Sequence, residues 1–152
     1  MTRLIFLLPL LCAACTNGAA APNLKPSEGW ARETVPGQSS AAAYLTVTNN
    51  GTRPDTLLSV STDVASHAML HSTTTAAGGV TRMRHLSGGL PIPSKTAVEL
   101  SPGRTHVMLS GLKQPLQRGQ TFRLTLKFER SGEKRTKIKV LDPQAAGLQE
   151  AG

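Results

Sequence analysis

Hydrophobic and polar positions alternate along much of this chain. The clearest run is "TFRLTLKFER", where Phe122, Leu124, Leu126 and Phe128 alternate with Thr121, Arg123, Thr125 and Lys127. Successive side chains leave a strand on opposite faces, so this pattern predicts a half-buried strand. "SGEK" then turns the chain into "TKIKVLD", where Ile138 and Val140 repeat the alternation. Upstream, "AAAYLTVTNNG" reads as a strand closed by an Asn-Gly turn. "DTLLSVST", "AMLHST", "VTRMRHL", "TAVEL" and "THVMLSGL" follow, separated by the turn-rich stretches "TTAAGG", "SGGLPIPSK" and "SPGR". About eight short strands with turns between them predict an antiparallel sandwich or barrel. No segment carries helical periodicity, and there is no internal repeat. In "THVMLSGL", Val107 and Leu109 are assigned to the core. His106 and Met108 then share the other face, directed outward or toward a rim.

A length of 152 residues suits one domain with a real core. Aromatic content of 3%, beside 14 Gly and 10 Pro, favours turns and short strands over a helical bundle. The formal charge of +8 admits nucleic acid, an anionic surface or an acidic partner. The basic residues are scattered, however, and no aromatic residues interleave with them as stacking platforms, so a solvated basic face is preferred to nucleic-acid binding.

At the N-terminus, "MTRLIFLLPLLCAAC" has one positive charge at Arg3, an apolar run and then small residues. This is the pattern of a secretory signal peptide. "CAAC" ending at Cys15 looks like a bacterial lipobox, with cleavage leaving Cys15 as a lipid-modified first residue. Ordinary cleavage near "GAAA" is the alternative. The expected organisation is a signal peptide over 1–14, a lipid-anchored linker over 15–29, one β domain over 30–142 and a disordered tail over 143–152. Cys12 and Cys15 are the only cysteines, so the folded domain must hold any metal without thiolate.

Enzyme templates are missing: no Gly-rich phosphate loop, no nucleophile elbow and no paired carboxylates. The chain is read as a non-enzyme. His and Met are scarce, yet His67, Met69, His71, Met83, His85, His106 and Met108 all fall between residues 67 and 108. Each has an ordinary reading alone: His67 and His85 as solvated residues, Met69 as core filler, His106 and Met108 as a surface histidine beside a gap-filling methionine. Together His71, Met83, His106 and Met108 offer two imidazoles and two thioethers. Neutral, soft thioethers suit Cu(I) among biological metals. Zn(II) favours Cys, His or carboxylate. A blue-copper centre needs a thiolate, which this domain lacks.

"WAR" at 30–32, "AAYLTVTN", "LHS" near His71, "VTRMR", "IPSKTAVEL", "PGRTHVMLSGLKQPL" and "LTLKFE" resemble the periplasmic copper chaperones called PCu(A)C, over roughly residues 28–141. The family pattern is a His, a Met twelve residues later, and H-x-M about 22 residues beyond. His71 and Met83 keep the first spacing; His106 falls 23 residues after Met83, and the "SGG" loop can absorb the extra residue. The family often has Met directly after the first His; here Ser72 follows, which leaves Met69 open as a substitute. The resemblance implies an all-β, cupredoxin-like Greek-key β-sandwich. It also implies a Cu(I) site of His71, Met83, His106 and Met108, and delivery of copper to apo-targets. The expected acceptor is the binuclear copper centre of a cytochrome c oxidase subunit, with a thioredoxin-like assembly factor as a possible partner. Two rival readings are a copper-buffering or resistance protein and a metal-free structural lipoprotein.

Overall fold

Alternation along Ser40–Asn49 (β3) sends Ala41, Ala43, Leu45 and Val47 into the core and leaves the residues between them half-exposed. This strand organises the domain. The computed structural model describes residues 21–150. Before β3 come two short strands, Leu24–Pro26 (β1) and Gly29–Arg32 (β2). After it come Asp55–Ser61 (β4), Ala65–Thr75 (β5), Thr81–His85 (β6), Leu90–Ile92 (β7) and Thr96–Leu100 (β8). Thr105–Leu112 (β9), Thr121–Phe128 (β10), Gly132–Leu141 (β11) and one helix, Pro143–Glu150 (α1), complete the order.

The strands hydrogen-bond in the order β6-β5-β9-β3-β2-β11-β10-β4-β7, with β1 and β8 also pairing with β3. The first half of β3 runs beside β9 and β2, and its second half beside β8 and β1. One long strand therefore serves two sets of neighbours and carries the ladder around a single core. Pairing is antiparallel except between β11 and β2.

The core is aliphatic with two phenylalanines. Leu57, Ile92, Leu109, Leu124, Leu126 and Phe128 are among its largest fully buried side chains. Full burial of such side chains contributes about 1.5–3 kcal/mol each. On β4, Leu57 and Val60 both point inward although three residues apart. A bulge opposite the Lys127–Phe128 step takes up Leu58, which stays exposed, and restores the phase. Two buried polar residues tie loops to this frame. Asn49 Oδ1 accepts from the backbone N–H of Asn23 and Gly51, while its amide donates to the Arg53 and Ile92 carbonyls. The Asp55 carboxylate accepts from the N–H groups of Thr56, Arg130 and Ser131 and from the Ser131 hydroxyl.

Three features depart from expectation. Residues 24–26 and 29 belong to strands although the sequence suggests a linker, because β1 and β2 are completed by hydrogen bonds from β3 and β11. Leu90–Ile92, set in a turn-rich connection, pairs with β4. The expected tail opens with α1, whose entry is capped by Asp142: its Oδ1 accepts from the Ala145 N–H at 2.8 Å. Ala146 of this helix is fully buried. The signal peptide and Cys15 lie outside the described residues.

Candidate metal centre

β5 runs between β6 and β9, and its Met69, His71 and Thr73 lie on the face opposite Leu70 and the core. The β5–β6 hairpin turns through Gly78 and Gly79, both at positive φ, a conformation that glycine adopts without steric cost. Its register places His71 opposite His85 and Thr73 opposite Met83. On the other side, His71 stands opposite His106 and Met69 opposite Met108. The three strands therefore bring six of the seven His and Met residues noted above close together on one side of one sheet. His67 pairs with Ser110 farther along and is exposed.

The imidazoles form a row. The His71 and His106 ring centroids are 6.1 Å apart, and those of His71 and His85 are 5.7 Å apart. The row continues through Tyr44, 6.4 Å from His106, to Trp30, 4.5 Å from Tyr44. Directly opposed residues on neighbouring strands have Cβ atoms about 4.5–5.5 Å apart, and diagonal ones about 7–8 Å. Met108 and Met83 are diagonal to His71 on its two sides, so the long thioether arms of both can reach toward it.

His106 is expected to face outward or toward a rim, yet it is only 5% exposed. Val107 and Leu109 fill the core as expected, both fully buried. His106 still occupies the opposite face, but β9 is an interior strand, and Tyr44 and His71 cover it from either side. Its Nδ1 lies 3.1 Å from the Arg104 carbonyl. A carbonyl only accepts, so Nδ1 carries the proton and donates, leaving Nε2 with a free lone pair. This is how metal-binding histidines are commonly oriented.

His71 is half-buried, and its Nδ1 is buried without a hydrogen-bond partner. An unsatisfied buried nitrogen is costly in a fold and marks a place where a ligand can complete the bonding. Burial pushes the His71 pKa down, and the neighbouring His106 and His85 push it further. The site thus favours neutral imidazole, the form that ligates metal. Met108 and Met69 are half-buried, whereas Met83 is 54% exposed on the edge strand.

Among the described residues, no group of three or more His, Cys, Asp or Glu could hold a metal ion. The donors gathered around His71 are thus one further imidazole on each side and thioethers. That set fits a soft monovalent ion and offers a hard divalent ion too few oxygen or nitrogen donors. His85, expected as a solvated residue, is exposed on β6, and the hairpin sets it beside His71. Its signal was the hairpin itself: the Gly78 turn lies midway between His71 and His85. Tyr44 and Trp30 carried no comparable signal, since their approach to His106 depends on long-range pairing.

A cupredoxin-like β fold presenting imidazole and thioether side chains on one sheet face defines a class of small metal-binding domains. Residues 24–140 match the family described as "Putative lipoprotein LpqE-like", and the chain belongs to it. It is 34% identical over 119 residues to a "Putative lipoprotein" of Leifsonia xyli subsp. xyli, covering 78% of this chain and 70% of the relative. Among solved structures, it resembles the copper-bound PCuAC domain from PmoF2, with TM-score 0.67 and 26% identity over 82% of this chain and 97% of that domain. It also resembles Cu(I)-DR1885 from Deinococcus radiodurans, with TM-score 0.63 and 32% identity over 85% of each chain. The expected PCu(A)C resemblance is thus matched by solved PCuAC domains, whose fold this chain shares.

Proposed function

We propose that this protein is an exported copper chaperone that holds one Cu(I) through His71, Met83, His106 and Met108 and passes it to an apo-protein. The observation that carries this reading is the pairing of His71 with His106 across β5 and β9, with the buried His71 Nδ1 unpartnered beside thioether side chains. Copper in solved relatives of this fold supports the same ion. The thioethers are neutral and soft, so they hold Cu(I) without the oxidation chemistry of thiols. Release proceeds by ligand exchange: an acceptor thiolate or imidazole enters, and a thioether leaves.

The "CAAC" motif and the lipoprotein relative support export to the periplasm and a lipid anchor at Cys15. Tethering would raise the effective concentration of the domain near membrane-bound acceptors. The binuclear copper centre of a cytochrome c oxidase subunit is the acceptor we assign, with a thioredoxin-like factor as an assembly partner. Anaerobic competition titration of the mature protein tests the binding. One tight Cu(I) per chain that is lost in His71→Ala is expected; no uptake by the wild type refutes the reading. Transfer from the loaded protein to an apo-oxidase subunit tests the acceptor.

A further inference from the structure

Resting on the copper reading above, we propose that His85 is the exit ligand of the site. It takes the place of His106 as Cu(I) moves to the sheet edge for handover, while His71 stays bound throughout. The register puts three imidazoles in one line across β6, β5 and β9, with His71 in the middle. Its distances to the two neighbours are nearly equal, 5.7 Å to His85 and 6.1 Å to His106. Either neighbour can share one ion with His71, because metal–nitrogen bonds of about 2 Å on each side span such a gap. Both cannot do so together. His85 and His106 are two strands apart, about 9–10 Å at ordinary strand spacing. The row therefore makes two overlapping seats that share His71.

The seats differ in access. The inner one is closed by His106, which is buried and held by its bond to the Arg104 carbonyl. The outer one lies on β6, which ends the strand order and whose residues are all exposed. Met83 stands on this same edge strand, diagonal to His71 across the β5–β6 pair, and a thioether arm from that position can stay on the ion in both seats. The exchange breaks the bonds from copper to His106 and Met108 and forms one from copper to His85. The ion remains Cu(I), no electron or proton is transferred, and the vacated coordination position faces solvent, where an acceptor ligand can enter. Without His85, the exposed Met83 would be the one assigned donor on the path outward.

Stopped-flow transfer of Cu(I) from the loaded full chain to excess bicinchoninate, a chromophoric Cu(I) chelator, reads the step. His85 is exposed on an edge strand, so His85→Ala is expected to fold as the wild type does. The variant should keep its equilibrium Cu(I) affinity within about threefold while transferring about tenfold more slowly. Equal transfer rates in loaded wild type and variant overturn the exit role and leave the copper reading intact. An affinity loss as large as that of His106→Ala also overturns it, because His85 would then be a resident ligand. A wild type that takes up no Cu(I) overturns the copper reading and the exit role together.

Discussion

His71 faces His106 directly across the β5–β9 ladder, and its Nδ1 has neither a protein partner nor open water around it. Removing either ring should therefore remove copper binding with little effect on the core, since both lie opposite the face that carries Leu70 and Val107. His71→Ala and His106→Ala are each expected to weaken Cu(I) binding by more than about tenfold. Competition titration beside thermal unfolding separates the effects; unfolding without ligand loss would make the pair structural.

The thioethers should rank by position. Met108→Leu and Met83→Leu are expected to lower affinity by about tenfold or more, and Met69→Leu by less. Leucine keeps the apolar volume, so packing is held nearly constant. Met69 stands opposite Met108 in register, and a loss equal to that of Met83→Leu would place its sulfur on the ion.

Acid should loosen the copper-free domain partly through His71. Its folded pKa is lowered, first by burial and then by His106 and His85. The unfolded chain, titrating at about pH 6.5, thus binds more protons than the folded one as pH falls. Stability from this residue is present above that pH and is lost as pH drops below it. Urea unfolding at pH 7 and pH 5 should show a smaller acid loss in His71→Gln than in the wild type. Parallel losses would show that His71 does not contribute.

Asp55 sets a second dependence at lower pH. Burial alone would raise its pKa, but the Ser131 hydroxyl and the N–H groups of Arg130, Thr56 and Ser131 outweigh burial and hold the carboxyl below its ordinary range. Its contribution is complete above about pH 3.9 and declines as pH falls toward the lowered value. Asp55→Ala leaves those donors unpaired and should cost about 2–4 kcal/mol, measurable by chemical denaturation at neutral pH.

The proposed lipid anchor rests on one side chain, Cys15. Cys15→Ser should abolish lipid labelling and release the domain from the membrane fraction. Equal retention of both forms, with lipid on neither, would point to ordinary signal cleavage.

Local pattern carried much of this fold and less of its site. The alternation in β10 and β11 reports burial faithfully because both strands present one face to the core and one to solvent. The same rule put Val107 and Leu109 in the core and His106 on the other face but did not reveal its burial, since alternation says which face a residue takes and not what covers that face. The His71–His85 pair was readable from the Gly78 hairpin. The His71–His106 pair was not, because it joins strands separated by three intervening elements. β1, β2 and β7 are too short to carry a period, and they exist through pairing with partners distant in sequence.

The packed rings of Trp30 and Tyr44, tilted by 44° to each other, give the domain an internal optical gauge. The chain has a single tryptophan, which touches Tyr44, and Tyr44 in turn lies against His106. Indole emission responds to changes in the ring packed against it, so a shift in His106 on metal loading should be passed through Tyr44 to the fluorophore two strands away. Occupancy can then be followed in the unlabelled protein by its own fluorescence. His106→Ala, which cuts the chain of rings at its inner end, should leave that emission indifferent to copper.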